Sequence, residues 1–227
     1  MKEIKRDAIS DEEVISAVTR RLVAQVGDPA AAARLAQYLF DVALTWRPPT
    51  IPVASIDSII AYSLGFIDRE DPTLEPLPGP INEQLADCMA KLVAAAPRAK
   101  RYAQWEVARV LDSKYGMKDV VSLERLYTDK GEMIYLSTAG VTDQILEREG
   151  GPAALGKTAV IGHHDHAWRC WDVCKRRGID AYAAEGLQLP TDYDPRSGQN
   201  FTRNADVWQI YDLAIRIGDQ RRRLIGA

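Results

Sequence analysis

From residue 53 onward, short apolar segments alternate with longer amphipathic ones, and this alternation constrains the fold more than any other feature of the chain. The first of the short segments is a nearly continuous apolar run, as expected for a strand buried on both faces. The short segments are 55–65, 99–104, 120–126, 132–138, 157–163 and 179–185. The segments between them repeat apolar residues at helical spacing. Strands that alternate with helices build βαβ units, so the pattern predicts an α/β fold with a doubly wound, mainly parallel, Rossmann-like sheet.

The first 47 residues predict helices and no strand. Ser10, followed by three acidic residues, is an N-cap with carboxylates in the first helical turn. A second helix is expected to begin at Asp28 and Pro29, since proline fits the first helical position. The prolines of "RPPTIP" (47–52) then force extended chain. We therefore predict an N-terminal helical hairpin over 1–47, packed on a Rossmann-like domain over 53–227.

Composition and charge exclude several classes of protein. The 227 residues include 29 basic and 32 acidic side chains, and a net charge of −3 predicts no attraction to nucleic acid or to anionic membranes. No apolar run reaches the roughly 18 residues of a membrane span, and the charged start predicts no secretory leader. Three cysteines, an odd and sparse number, argue against a disulfide framework. These features predict a cytoplasmic protein.

Polar residues follow the predicted strands at the points where the strands end. In doubly wound sheets, ligands bind outside the carboxyl ends of the strands, so these residues are candidate ligand-binding groups. They are Ser63 and Gly65, Gln104 and Glu106, and Ser137 and Thr138. A loop over 186–203 has no predicted secondary structure and is long enough for a functional lid. Its candidate residues are Asp194, Ser197, Gln199, Asn200, Thr202 and Arg203.

Each of these groups also has a purely structural interpretation. Ser63 and Gly65 fit a tight strand-to-helix turn, and Gln104 and Ser137 are placed to cap the helices that follow them. The polar end of the long loop equally fits a cap for the last helix. The ligand-binding interpretation is favoured for the set as a whole, because one edge of one sheet would hold all of them.

All three histidines of the chain, His163, His164 and His166, lie in "VIGHHDHAWRC" together with Asp165. A metal site would need a further ligand from Asp165, from a distant carboxylate such as Glu106, or from Cys170. In an acid/base site, the carboxylate would set the tautomer of an imidazole, and the following helix N-terminus with Arg169 would hold an anion. In a structural cluster, Asp165 would cap that helix. The acid/base interpretation is favoured: His166 contacts the ligand, His163 and Asp165 orient it, and His164 and Arg169 help to bind it.

Several nucleotide and hydrolase motifs do not occur in the chain. It has no G-x-x-x-x-G-K-[ST] loop, and no G-x-G-x-x-G follows the first strand of the predicted domain. It also has no G-x-S-x-G nucleophile elbow. Ser63 and Ser137 are candidate nucleophiles by position alone.

The order of features around "HAWR" (166–169) resembles the YdcF/SanA/ElyC-like family, a group of Rossmann-like domains with poorly defined activity. His166 and Arg169, with "RRGIDAYAAE" behind them, carry the resemblance, which covers about residues 53–222. The residues "SLG" (63–65), after the first predicted strand of the domain, loosely match the family's glycine-rich turn. Two positions differ from the family: His163 stands where the family has a serine, and "YAQWE" stands where the family has a Ser-Gly-Gly turn. The resemblance implies a small-molecule pocket for a nucleotide-like ligand, such as S-adenosylmethionine, or for a phosphate-bearing group.

The sequence thus predicts a hydrolase or transferase that binds a small anionic or nucleotide-like metabolite and uses histidine acid/base chemistry. Two alternatives stay open. One is a metal-dependent hydrolase or oxygenase built on the His163–His166 cluster. The other is a ligand-sensing or scaffold protein without catalysis, whose N-terminal helices form a docking or homodimer surface.

Overall fold

The computed structural model of the chain describes residues 9–71, 73–130 and 133–226. They belong to two compact units. One unit is Arg47–Asp212, and the described residues of Met1–Trp46 and Leu213–Ala227 form the other.

Both predicted N-terminal helices are present. Helix α1 spans Asp11–Val26, and helix α2 spans Pro29–Leu39 and continues into a short π-helical segment, Phe40–Leu44. Ser10 and Asp28 cap the two helices as predicted, because each side-chain oxygen accepts hydrogen bonds from amides of the first turn.

The larger unit contains a six-stranded sheet in which every strand runs parallel to its neighbours, which confirms the predicted fold class. Its strands are β1 (Thr50–Ile51), β2 (Ser58–Ala61), β3 (Lys100–Gln104), β4 (Val121–Leu123), β7 (Lys157–Ile161) and β8 (Asp180–Ala184). Two short strands, β5 (Leu126–Tyr127) and β6 (Met133–Ile134), pair with each other in antiparallel fashion outside this sheet. The strand order of the main sheet is β1-β8-β7-β2-β3-β4.

The predicted helices of this part of the chain are also present. They are α3 (Pro80–Ala95), α4 (Trp105–Tyr115), α5 (Thr138–Glu149), α6 (Ala167–Arg176) and α7 (Ala205–Ile225). None of the helices that the structure describes is long and apolar enough to cross a membrane.

Strand β2 is buried on both faces, as its continuous apolar sequence predicts. Ile59 lies in one core with side chains of α3 and α4, including Leu85 and Leu111. The neighbouring Ile60 points to the opposite face and lies in a second core with side chains of α5 and α6, including Ile145. Helices therefore cover both faces of the sheet, and ligands can reach the strands only at the strand ends, where the loops lie.

The strand order contains a topological switch point between β2 and β7. From β2 the chain builds outward through β3 to β4, and it then returns to place β7 on the other side of β2, followed by β8. Apart from β1, this is the 3-2-1-4-5 order of Rossmann folds, in which ligands bind at the carboxyl ends of the strands beside the reversal. The loops that leave β2 and β7 flank this point, and they begin at residues 62 and 162.

Two details of the sheet differ from the prediction. The predicted core strand over 132–138 is wrong, because only Met133–Ile134 forms a strand, and it pairs with β5 alone; residue 132 lies outside the described residues. The side chains of β6 are exposed, so the burial that stabilises a central parallel strand is missing there. The main sheet instead has an unpredicted edge strand, β1, and proline is tolerated at such edges.

Candidate functional site

The loop that leaves β2 is tied to two neighbouring elements. The amide of Ser63 donates to Oε1 of Gln104 at 3.2 Å, which joins the exits of β2 and β3. The next amide, of Leu64, donates to Oδ1 of the buried Asn82 at 3.0 Å, and Asn82 Nδ2 donates to the Gly65 carbonyl at 2.9 Å. These bonds fix the backbone on both sides of the Ser63 side chain.

Three side chains from separate segments form a hydrogen-bonded chain at this edge of the sheet. The phenol of Tyr135 donates to Oε1 of Glu106 at 2.7 Å. A phenol has one proton, so its contact of 2.8 Å with Ser63 Oγ is a bond in which the serine donates. Ser63 follows β2, Glu106 follows β3, and Tyr135 lies between β6 and α5.

Glu106 is an unusual carboxyl group because it is fully buried. Burial raises the pKa of Glu106 to about 7, against the opposing effects of the hydrogen bond from Tyr135 and the positive charge of Arg125. Its second oxygen, Oε2, is buried and has no hydrogen-bond partner among the described residues. The carboxyl group is therefore able to gain or lose a proton near neutral pH, and one of its oxygens has no hydrogen bond to the described residues.

His166 ends the loop that leaves β7 and lies at the start of α6. It is 4% exposed, its Nε2 lies 3.0 Å from Thr138 Oγ1, and its buried Nδ1 has no partner among the described residues. Burial lowers the pKa of His166 well below 6.5, and the positive charge of Arg169 lowers it further. The imidazole is therefore neutral at neutral pH, with one buried ring nitrogen that has no hydrogen bond to the described residues.

Arg169 does not present a free cation to the site. Its Nε donates to Oδ1 of Asp212 at 2.5 Å, and its Nη1 donates to Thr138 Oγ1 at 3.3 Å. Both members of the ion pair are buried, and the guanidinium also lies 5.4 Å from the ring centre of Trp208. Arg169 thus holds Thr138 next to His166, and Asp212 is the buried ion-pair partner of Arg169.

The other members of the histidine cluster have separate partners. His163 is fully buried, and its Nε2 lies 3.0 Å from the Asp192 carbonyl while its Nδ1 accepts from the Asp165 amide at 3.2 Å. Burial lowers the pKa of His163. The Asp165 carboxylate contacts His164 at 2.7 Å and accepts a hydrogen bond from Tyr193 at 2.8 Å. The predicted contact partner of His166, the Asp165 carboxylate, is thus bonded elsewhere, and Thr138 is in its place.

The imidazoles do not converge on a common centre. In the described part of the chain, no group of three or more His, Cys, Asp and Glu side chains is arranged to hold a metal ion. His163, His164 and His166 point to a backbone carbonyl, a carboxylate and a hydroxyl, respectively. The geometry gives no support to the alternative of a metal centre at this cluster.

The loop before α7 packs directly on the β2 exit. Gly65 has a φ of +67°, and a Cβ there would lie 2.5 Å from Ser197 Oγ and 2.7 Å from Thr202 Oγ1. Ser197 and Thr202 are both buried and share a hydrogen bond of 2.7 Å. Arg203 Nε donates to the Ser197 carbonyl at 2.7 Å, which links the two ends of the segment 197–203. The predicted lid therefore contacts the β2 exit through its buried hydroxyl groups.

Several candidate residues have local structural roles. Ser137 is exposed and caps α5, because its Oγ accepts a hydrogen bond from the Gly140 amide at 3.1 Å. Asp194 accepts hydrogen bonds from Arg196. The remaining loop candidates are at the periphery: the Gln199 amide donates to Ser197, and Asn200 is exposed. Among the candidates, the structure thus forms two separate hydrogen-bonded groups at the strand exits. One contains Ser63, Gln104 and Glu106, and the other contains Thr138, His166 and Arg169.

Three residues of the site are absent from the sequence-based set. Tyr135 connects Ser63 to Glu106, Asp212 forms a buried ion pair with Arg169, and the Trp208 ring lies 5.2 Å from the imidazole of His166. Tyr135 and Asp212 carry no local sequence signal, because Tyr135 lies within the misassigned segment 132–138 and Asp212 lies within a regular helix. A tryptophan at helical spacing predicts only a buried helix face.

Comparison of the chain with protein-family models, with curated proteins and with solved structures gave no match.

Proposed function

We propose that this chain is an enzyme that binds a small nucleotide-like metabolite at the switch point between β2 and β7 and acts on it as a hydrolase or transferase. The observation that carries the proposal is a pair of buried polar atoms without described partners, Glu106 Oε2 and His166 Nδ1, at strand exits of one sheet edge. Buried polar atoms are normally hydrogen-bonded, so an open pair is a sign that a ligand or water completes the site. Proton-transfer groups with shifted pKa values are typical of active sites.

The charges at the site favour a ligand whose bound part is neutral. Arg169 is bonded to Asp212, and Glu106 adds a carboxyl group rather than a cation. A neutral imidazole at His166 suits a hydrogen-bonding group of a ligand better than a phosphate dianion. S-adenosylmethionine and nucleotides stay candidate ligands for two reasons. One is analogy with other Rossmann-like folds. The other is the proposed relationship to the YdcF/SanA/ElyC-like family, because the residues of this chain that carry the resemblance, His166 and Arg169, meet at Thr138.

Two measurements on the untagged protein test this function. Mass spectrometry of the denatured protein identifies any small molecule that co-purifies, and calorimetry measures binding of S-adenosylmethionine, ATP, AMP and inorganic phosphate. Glu106→Gln and His166→Gln each remove one open atom of the pair, and we expect each to weaken binding by about tenfold or more. Glu149→Gln, at the far end of α5, is the matched control and should bind as the wild type does.

Unchanged affinity in both site variants would contradict the proposal. Binding that depends on Glu106 and His166 without any turnover would instead indicate a ligand-sensing protein. The three cysteines, Cys88, Cys170 and Cys174, are free, and we propose the cytoplasm as the compartment because it keeps thiols reduced.

We also propose the N-terminal helices as a homodimer surface. Val26, Leu35 and Leu44 are large apolar side chains of this segment that are 46%, 39% and 52% exposed. Light scattering of the full chain should give the mass of a dimer, and Leu35→Lys should shift it toward the monomer. A monomeric wild type would contradict this.

A further inference from the structure

When Glu106 is ionised, the hydrogen-bonded chain at the β2 exit runs from Ser63 through Tyr135 to Glu106. Because the single phenolic proton of Tyr135 goes to Glu106, the proton of Ser63 points to the Tyr135 oxygen. The lone pairs of Ser63 Oγ are then directed away from the chain. This is the arrangement of a serine whose proton has a path to a base, and the base at the end of the path is the buried carboxyl group of Glu106.

We infer that Ser63 is a nucleophile toward neutral acyl groups, such as carboxylic esters and thioesters, and that Tyr135 and Glu106 carry its proton. The inference rests on the proposed function and names the reaction at the same site. Ser63 does not have the strained backbone of a nucleophile elbow, since no residue other than glycine has a positive φ in the described chain. Its activation therefore depends on its hydrogen-bond partners.

The same loop contains donors for a developing oxyanion. The amides of Gly65 and Phe66 donate no hydrogen bond to any residue that the structure describes. Backbone amides of this kind stabilise the negative oxygen of a tetrahedral intermediate.

Charge favours an acyl group over a phosphoryl group. Arg125 lies 4.5 Å from the ring centre of Trp105 but is bonded to Glu75 at 2.7 Å. Arg169 is bonded to Asp212 at 2.5 Å. Phosphoryl transfer needs cations that neutralise the transferred group, whereas acyl transfer needs only hydrogen-bond donors at one oxygen.

The reaction balances with water as the second substrate. Ser63 Oγ forms a bond to the carbonyl carbon, its proton moves to the Tyr135 oxygen, and the phenolic proton moves to Glu106. The bond from the carbonyl carbon to the alcohol or thiol breaks, and the leaving group takes that proton back through Tyr135. Water then attacks the acyl carbon and gives one proton to Glu106 through Tyr135. The bond from that carbon to Ser63 Oγ breaks, Ser63 takes the proton back through Tyr135, and the carboxylic acid leaves.

Covalent labelling of the full chain tests the inference. Ser63 is only 5% exposed, so the probes are small and neutral: phenylmethylsulfonyl fluoride, and p-nitrophenyl acetate for acyl transfer. We expect one adduct, located on Ser63 by peptide mass spectrometry and absent in Ser63→Ala. Tyr135→Phe and Glu106→Gln should slow labelling by about tenfold or more, because each interrupts the proton path. Ser113→Ala, an exposed serine of α4, should be labelled as the wild type is.

No adduct on Ser63 with either probe would overturn the inference, and so would equal labelling rates in Tyr135→Phe and the wild type. Circular dichroism and the thermal midpoint confirm that each variant is folded, and Tyr135→Phe removes a single oxygen atom. If Glu106→Gln weakens metabolite binding while Ser63 is never labelled, the proposed function stands and this inference falls. If Ser63 is labelled through Glu106 while the metabolites tested do not bind, the nucleotide-like ligand is wrong and the acyl chemistry stands.

Discussion

The guanidinium of Arg169 donates to the carboxylate of Asp212 at 2.5 Å, and both groups are buried. A cation held at this position disfavours a second positive charge nearby, which is one reason why the pKa of His166 lies well below 6.5. Arg169 therefore lowers the pKa of His166 through its charge and holds Thr138 beside the imidazole. Because the guanidinium is bonded to Asp212, it is not available to bind an anionic ligand by itself.

Asp212→Ala should lower the stability of the protein strongly. The substitution leaves the buried guanidinium of Arg169 without this carboxylate, and removal of one partner of a buried ion pair costs about 3–5 kcal/mol. Urea unfolding measures the change. Asp143→Ala is the control, since Asp143 is 58% exposed in its pair with Arg177 and should change the free energy of unfolding by less than about 1 kcal/mol. Equal losses in the two variants would contradict the argument.

His166 should be neutral at pH 6.5, where an unperturbed imidazole is about half protonated. Burial among aromatic rings, including Tyr62 and Trp208, and the charges of Arg169 and His163 all act in this direction. The ¹⁵N shifts of the imidazoles report protonation, and the chain has only three histidines to assign. Half protonation of His166 at pH 6.5 would refute the prediction.

Glu106 should make the protein less stable as pH rises from about 4.5 to 7, the window between the ordinary carboxyl pKa and the raised one. In this window the folded carboxyl keeps a proton that the unfolded chain has lost, so deprotonation favours unfolding. Glu106→Gln removes this dependence and should raise stability relative to the wild type at pH 8 by on the order of 2 kcal/mol.

The comparison for Glu106 is made at two pH values. Well below pH 4.5, the wild-type carboxyl is largely protonated in both states, so the difference between the two proteins should be smaller than at pH 8. Tyr135 and Arg125, which face Glu106, are present in both proteins, so their own contributions to stability cancel in the comparison. A difference that does not change with pH would show that the carboxyl group does not titrate in this window.

Gly65→Ala should be more harmful than Gly116→Ala, although both glycines have a positive φ, +67° and +65°. A Cβ at Gly65 would lie 2.5 Å from Ser197 Oγ, whereas nothing lies within 4 Å of a Cβ at Gly116. We expect a loss of about 1 kcal/mol for Gly116→Ala from backbone strain and an additional 1–3 kcal/mol, roughly, for Gly65→Ala from overpacking. Thermal unfolding compares them, and equal losses would contradict the close contact between the β2 exit and the lid.

Features set by neighbouring residues could be predicted from the sequence. The caps at Ser10 and Asp28 and the βαβ order need only short-range patterns, and the structure contains both. The positions of Ser63 and Glu106 could also be predicted from the sequence, because a residue that comes after a parallel strand lies at the carboxyl edge of the sheet. The apolar segment at 132–138 had the composition of a core strand, yet its burial depends on neighbours that the segment itself does not encode.

By itself, the sequence determined the fold class and the edge of the sheet at which polar side chains gather. Only the tertiary structure decided which of those side chains meet. Arg169 and Asp212 are 43 residues apart, and Ser63 and Tyr135 are 72 residues apart, so no local pattern links them. Pairing, burial and the resulting pKa values depend on distances in space, because the electrostatic energy of a group is set by the charges, hydrogen bonds and water around it.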